Sequence, residues 1–280
     1  MSRFVVDESK CRRDGICAAV CPVGILEPGG TSPPALVPGG EGLCISCGHC
    51  VAACPYGACS LDTMPTEACP ALRPEWHLGP EQVEHFLRSR RSIRAYKEAP
   101  VDPGRLERLI RVARYAPSGH NGQPVRWLVV SGHGPVRALA GHVVDWFRML
   151  LERKPDVAQG MRLDRLVAAW DAGKDPVCRG APHLLVALAP ASDPAAPIAC
   201  TLALTYLELA APSFGLGCCW AGYLHMAALH WPPLRAALAL PEKQQLGGAM
   251  LAGEPRYRYH RLPLRKEPDI TWRSERERSP

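Results

Sequence analysis

Apolar positions change their period several times along this chain, and each change predicts an element. Val136, Leu139, Ala140, Val143, Val144, Phe147, Leu150 and Leu151 recur at three- and four-residue spacing, so 135–151 predicts a helix with one buried stripe. Leu106, Leu109, Ile110 and Ala113 form a second stripe behind Asp102-Pro103, a capping residue followed by a proline suited to the first helical turn. Val83, Phe86 and Leu87 after Pro80-Glu81 predict a shorter amphipathic helix, and 161–170 another before a 173–180 loop. Residues 125–130 and 183–189 lose the helical period and read as strands; the second is wholly apolar between prolines, hence buried. Residues 197–211 are apolar nearly all round, which predicts a central helix at a subunit interface.

Ahead of residue 80 this periodicity is absent. Pro28-Gly29-Gly30, Pro33-Pro34 and Pro38-Gly39-Gly40 bracket the short apolar segment Ala35-Leu36-Val37, predicting hairpins and loops. Residues 64–80 carry Pro65, Pro70, Pro74 and Pro80 with few apolar anchors and predict a linker over the surface. A segment this poor in core needs another source of order, and its cysteines supply one. Cys11, Cys17 and Cys21-Pro22 recur 33 positions later as Cys44, Cys50 and Cys54-Pro55, with Cys47 added in the second copy. The second copy has the bacterial iron–sulfur spacing C-x2-C-x2-C-x3-C-P, whose last cysteine reaches across to the other repeat's cluster. Two [4Fe-4S] clusters are therefore expected. One takes Cys44, Cys47, Cys50 and Cys21; the other takes Cys11, Cys17, Cys54 and a fourth ligand. Asp14 stands where that fourth cysteine belongs, and Cys69 is the alternative.

Other uses of these cysteines fit less well. A structural zinc takes paired knuckles well separated in sequence, not four cysteines in eleven residues. Disulfides belong to oxidising compartments, whereas Met1–Lys10 has no apolar signal segment and the total of 13 cysteines is odd. Cys59, Cys178, Cys200, Cys218 and Cys219 read as small buried residues. His142, His225 and His230 have no metal-ligand spacing, and neither an acid/base triad nor a strand-borne G-x-G-x-x-G is visible.

Charge separates the two parts. Through Pro80 there are five Lys/Arg against eight Asp/Glu, about −3; the remaining 28 against 19 give about +9. Nucleic acid is not the expected partner, because the cations are dispersed among acids. The most apolar run, 198–214, is broken by Glu208 and Pro212, so no bilayer span is expected and the protein should be cytoplasmic. One cation run is dense: Arg88, Arg90, Arg91, Arg94 and Lys97, with Ser92 among them and no acid before Glu98.

That run opens a series of motifs. Arg90-Arg91-Ser92-Ile93-Arg94-Ala95-Tyr96, Ala116-Pro117-Ser118 through Asn121-Gly122-Gln123-Pro124, Gly215-Leu216-Gly217 and Trp220-Ala221-Gly222-Tyr223 resemble, in order, the signatures of the nitroreductase family of FMN enzymes over about 80–272. With the cysteine repeat, the chain resembles the branch carrying a two-cluster ferredoxin domain ahead of that fold. The resemblance implies an α+β sandwich that dimerises with FMN at the subunit interface. It divides the chain into an iron–sulfur domain (1–63), a linker (64–80) and an FMN domain (81–280). It implies FMN contacts from Arg90, Ser92 and Arg94 at the phosphate, Arg91 among the cofactor-binding residues, Asn121 and Gln123 at the ring edge, and Ala221-Gly222 through backbone N–H groups. Among the C-terminal basic residues 261–266, Arg265 is expected to return to the phosphate. The chemistry agrees, since guanidinium forks and hydroxyls suit a phosphate and an amide suits the ring edge. Catalytic residues are not assigned. The expected activity passes electrons from a soluble donor, reduced ferredoxin or NAD(P)H, through clusters and FMN to a nitroaromatic, quinone or enone-like acceptor. The reverse flow uses the same parts. The alternative is a redox-sensing or electron-storing module without a dedicated organic substrate.

Overall fold

The computed structural model describes residues 4–273; the ends of the predicted iron–sulfur and FMN domains, 1–3 and 274–280, lie outside the described residues. Strand β1 (Phe4–Val6), helix α1 (Ile16–Ala19), β2 (Leu26–Glu27), β3 (Ala35–Leu36), α2 (His49–Ala53) and β4 (Cys59–Leu61) build the first unit. β1 pairs antiparallel with β4 and β2 with β3, so the ends of the cysteine repeat are tied together. The 33-residue repeat is written into the backbone. Arg13 and Ser46 (φ 59 and 50), Gly15 and Gly48 (72 and 75), and Gly24 and Gly57 (67 and 59) are three equivalent pairs in the left-handed region. A short helix follows each of the middle pair. Residues 64–79 form loops and two 3-10 turns, 66–68 and 74–76.

The second unit begins with α3 (Pro80–Ser89) and α4 (Pro103–Ala113), whose Asp102 side chain accepts from Gly104 N at 3.2 Å. It continues through β5 (Arg126–Ser131), α5 (His133–Arg153), α6 (Pro155–Gly160), α7 (Leu163–Asp171), β6 (His183–Pro190), α8 (Ala196–Ala210), β7 (Gly217–Trp220), α9 (Gly222–His230), α10 (Pro232–Ala237) and β8 (Gln244–Gly253). The sheet order is β5-β6-β8-β7, antiparallel throughout. One face packs α5, α7 and α9 around Phe147, Leu184 and Leu224; the other packs α4 and α8 around Leu109, Leu204 and Met250. This is the two-sided α+β sandwich. The predicted stripes of α4 and α5 are the buried ones.

Residues 196–214 are apolar and long enough to cross a bilayer by composition alone. Here α8 packs on β6, β8 and α4, and it buries Glu208. β8 carries no strand signal in its Gly247-Gly248-Ala249 core, because glycine contributes no side chain to the pattern. The fold needs them: a Cβ on Gly247 would sit 2.4 Å from Cys200 Cβ, and one on Gly253 2.7 Å from Pro182 Cδ. These glycines let α8 and the segments carrying Pro182 and Tyr96 approach the central strand.

Candidate functional site

The first unit gathers its cysteines at two places. Cys21, Cys44, Cys47 and Cys50 line one cavity, walled by Phe4, Ile25, Leu26, Leu36 and Leu61. Cys11, Asp14, Cys17 and Cys54 line a second, beside Gly15, Pro34 and Tyr56. This is the crossed arrangement, with each C-P cysteine facing the other repeat's set. Among the described residues no three His, Cys, Asp or Glu groups converge on a single-ion point. A cubane requires otherwise: its thiolates surround a volume. Burial pushes the Cys50 thiol up to about 11, so a thiolate there needs the positive charge of metal beside it. None of the thirteen cysteines is paired in a disulfide.

Asp14, which lines the second cavity, accepts at Oδ1 from Ile16 N at 3.1 Å. Cys69 lies on the linker, its thiol donating to Pro65 O at 3.5 Å, and it lines neither cavity. Cys59, whose sequence position favours a small buried residue, is a fifth group in the second cavity and is in hydrogen-bond contact with Cys17 and Cys54. Burial, its largest influence, together with those neighbours raises its pKa, so it stays a protonated S–H donor in the absence of metal. Its position directly after the repeat, on β4, was the available signal.

In the second unit, residues 90–97 run extended beside the sheet. Ile93 N donates to Cys218 O at 2.8 Å, Lys97 N to Glu254 O at 2.9 Å and Arg256 N to Ala95 O at 2.9 Å. This anchoring sets the arginine run at the mouth of two adjoining clefts. One, of about 520 Å³, is lined by Arg88, Arg90, Arg91, Arg265, Lys266 and Glu267 among others. The other, of about 560 Å³, runs from Arg90 and Arg91 past Glu208 to Gly217, Cys218 and Tyr257. Arg91 Nε is buried with no protein partner, and an uncompensated guanidinium donor at a cationic cleft is suited to an anion. Arg90 Nη1 donates to Glu208 Oε1 at 2.8 Å and makes a long 3.5 Å contact to Ser92 Oγ. Arg94 is exposed and lines neither cleft, although its charge is felt at Cys219.

The 118–123 loop is bent by three non-glycine residues in the left-handed region: His120 (φ 49), Asn121 (53) and Gln123 (45). Gln123 N donates to Ser118 Oγ at 2.9 Å and Gln123 Nε2 to Asn121 Oδ1 at 3.3 Å. Both donors of Asn121 are spent elsewhere: Nδ2 reaches Ser46 O at 2.9 Å and Ile45 O at 3.3 Å. At the fourth motif, Ala221 N donates to Ala249 O at 2.9 Å, so it is occupied. Gly222 starts α9, is exposed, and has nothing within 4 Å of its missing Cβ, leaving open space beside a helix N-terminus.

The model of the nitroreductase family matches residues 87–254. The chain belongs to the nitroreductase family. A 4Fe-4S dicluster domain matches residues 3–55, and together these findings support FMN and two [4Fe-4S] clusters as the cofactors of this architecture. Solved structures share the fold of the second unit. A nitroreductase with bound FMN from Bacteroides fragilis has TM-score 0.53 and 23% identity, covering 68% of this chain and 95% of that one. A nitroreductase with bound FMN from Desulfitobacterium hafniense has TM-score 0.55 and 20% identity, covering 70% and 100%. An oxidised iodotyrosine deiodinase bound to FMN and 3-iodo-L-tyrosine has TM-score 0.51 and 22% identity, covering 69% and 99%. Comparison with curated proteins found no match.

Proposed function

We propose that this nitroreductase-family protein is a flavin oxidoreductase that passes electrons between two [4Fe-4S] clusters and FMN to reduce a nitroaromatic, quinone or enone-like acceptor. The observation that carries the flavin half is the convergence of Arg90 and Arg91 with Arg265 and Lys266, from opposite ends of the second unit, around a buried unpartnered Arg91 Nε. A phosphate would supply an acceptor for that donor and charge-assisted bonds to its cationic neighbours. Arg90, Arg91, Arg265 and Lys266 hold the FMN phosphate, with Ser92 behind Arg90 and Arg94 contributing long-range charge. Gly222, at an open helix N-terminus, would offer its amide to the ring. Asn121 and Gln123 stand at the ring edge; because the Asn121 donors are committed, it offers the ring only its oxygen's second lone pair.

When bound, FMN supplies the two-electron chemistry and the clusters carry electrons singly. The protein's own groups bind, orient and admit. The cationic cleft holds the anionic cofactor, and the apolar walls of the first cysteine cavity limit water around its cluster. The donor is reduced ferredoxin or NAD(P)H, in a reducing cytoplasm that keeps the thiols free. We also propose a homodimer. Val83 and Leu87 of α3, Ile198 and Tyr206 of α8, and Met226 and Leu229 of α9 are exposed large apolar residues, as are Leu264 and Trp272 beyond β8.

The test is anaerobic isolation with iron, sulfide and flavin analysis, followed by spectral titration with NADH, NADPH and reduced ferredoxin. Close to eight iron and one FMN per chain are expected. About four iron, or no flavin, overturns the corresponding half. Multiple turnovers of a small acceptor separate an enzyme from a redox-sensing module.

A further inference from the structure

We infer that Asn121 is a positioning residue that clasps the Cys44–Cys47 loop to the 118–123 loop, making the cluster held by Cys21, Cys44, Cys47 and Cys50 the one that exchanges electrons with the flavin. This rests on the FMN reading above for its electron-transfer half only. Ile45 and Ser46 lie between two ligands of that cluster, and their carbonyls both accept from Asn121 Nδ2, at 3.3 and 2.9 Å. The contact joins segments 75 residues apart, across the linker. It is built from both sides.

On one side, Ser46 holds the left-handed conformation of its repeat (φ 50), as does Arg13 (φ 59) in the first copy, where the cluster loop carries Asp14 instead of Cys47. On the other, His120, Asn121 and Gln123 are all held at positive φ, a conformation that costs free energy in non-glycine residues unless surrounding bonds determine it. Those bonds are present: Ser118 O accepts from Asn121 N at 3.1 Å, Ser118 Oγ from Gln123 N at 2.9 Å, and Asn121 Oδ1 from Gln123 Nε2 at 3.3 Å. The last contact orients the amide so that its NH₂ faces the cluster loop. Pro117, Ser118 and Gln123 belong to the motif region expected at the flavin. A single amide therefore touches the cluster loop with its nitrogen while its oxygen remains in the flavin motif. No comparable side-chain bond among the described residues joins the Cys11–Cys17 loop to the second unit. In each transfer one electron leaves one centre and arrives at the other, with no proton required of Asn121.

The experiment uses the anaerobically isolated full chain and its Asn121→Ala, Asn121→Asp and Gln123→Ala variants, each first checked for unchanged iron content. Amide hydrogen exchange of the 44–50 segment reports the clasp; flash photoreduction of the flavin, followed by the intramolecular absorbance change, reports transfer to the clusters. Loss of two neutral hydrogen bonds should raise local opening, and hence exchange across 44–50, about tenfold in Asn121→Ala. The rise should be larger in Asn121→Asp, whose carboxylate faces two carbonyls, and smaller in Gln123→Ala. Intramolecular transfer should slow in the same order. Unchanged exchange overturns the clasp. Raised exchange with unchanged transfer overturns the assignment of the proximal cluster. If the wild-type chain retains no flavin, the proposed function fails on its own account, and the exchange result still decides the clasp.

Discussion

The Arg90–Glu208 pair makes an unequal prediction. The two side chains meet at 2.8 Å, but Glu208 is only 7% exposed whereas Arg90 is 30% exposed at the cleft mouth. In Arg90→Ala a carboxylate is left inside, close enough to Cys218 to affect its thiol, without its counter-charge. Stranding a buried charge costs about 3–5 kcal/mol. In Glu208→Ala the guanidinium left behind can swing into cleft water, so only about 1–2 kcal/mol is lost, the value of a charged hydrogen bond less its solvent compensation. For a domain of this size the difference is roughly 5–10 °C in Tm. Anaerobic unfolding followed by tryptophan fluorescence and circular dichroism measures it. The double variant, which removes both charges, should be more stable than Arg90→Ala alone. A Glu208→Ala protein as unstable as Arg90→Ala, or a double variant worse than both, would refute the reasoning. The pair also sets anion affinity: Glu208→Gln releases Arg90 from its carboxylate, so FMN retention should rise a few-fold while stability falls.

Four other outcomes are expected. Arg91→Ala and Arg265→Ala should each weaken FMN retention roughly ten- to a hundredfold, measured by equilibrium dialysis, and unchanged occupancy in both would return these cations to ordinary solvated surface. Asp14→Cys should protect the second cluster from loss of one iron to chelators, while Cys59→Ala should leave its iron count intact and lower its potential by tens of millivolts through loss of an S–H donor, read by EPR titration; if Cys59→Ala instead yields a [3Fe-4S] signal, Cys59 is the fourth ligand. Gly217→Ala should cost about 1–3 kcal/mol and loosen the arginine segment, because the new methyl would lie 2.3 Å from Ile93 Cγ1 and 2.9 Å from Pro255 Cγ. His183 and His225 have pKa values lowered from 6.5 mainly by burial, so the unfolded chain binds their protons more readily; stability should be full above about pH 6.5 and fall as pH drops below it, with a flatter slope in the His183→Gln, His225→Gln double variant.

Local patterns carried most of the fold. The stripes of α4 and α5 and the unbroken apolar run of β6 each reflect one face meeting one core, and the structure buries those positions. β8 escaped notice because Gly247, Gly248 and Gly253 act by leaving space, which has no periodicity. The 161–170 helix was legible, but the break that yields α6 and α7 depends on Arg162 at φ 52, a conformation no propensity marks. The cysteine cavities followed from spacing because cluster ligation is itself a local, repeated geometry. Cys59 did not, since a sulfur outside the repeat is recognised as a neighbour only once β4 pairs with β1.

The same division explains the proposed flavin site. Motif residues named the surfaces, but which partner each group faces is decided by contacts that span the chain. Arg90 and Arg91 acquire Arg265 and Lys266 as neighbours, and Arg90 acquires Glu208. Thus a charge run that looked uniform separates into one guanidinium already paired, one with a buried donor free, and one, Arg94, turned to solvent. Asn121 illustrates the stronger form of the point. Here the fused iron–sulfur domain places two backbone carbonyls against it, and an asparagine has only two amide hydrogens to give. The clasp therefore limits what this motif residue can donate. A ring-edge role that requires donation from Asn121 is incompatible with the closed clasp, whereas acceptance through Oδ1 is compatible with the ring-edge placement proposed for it.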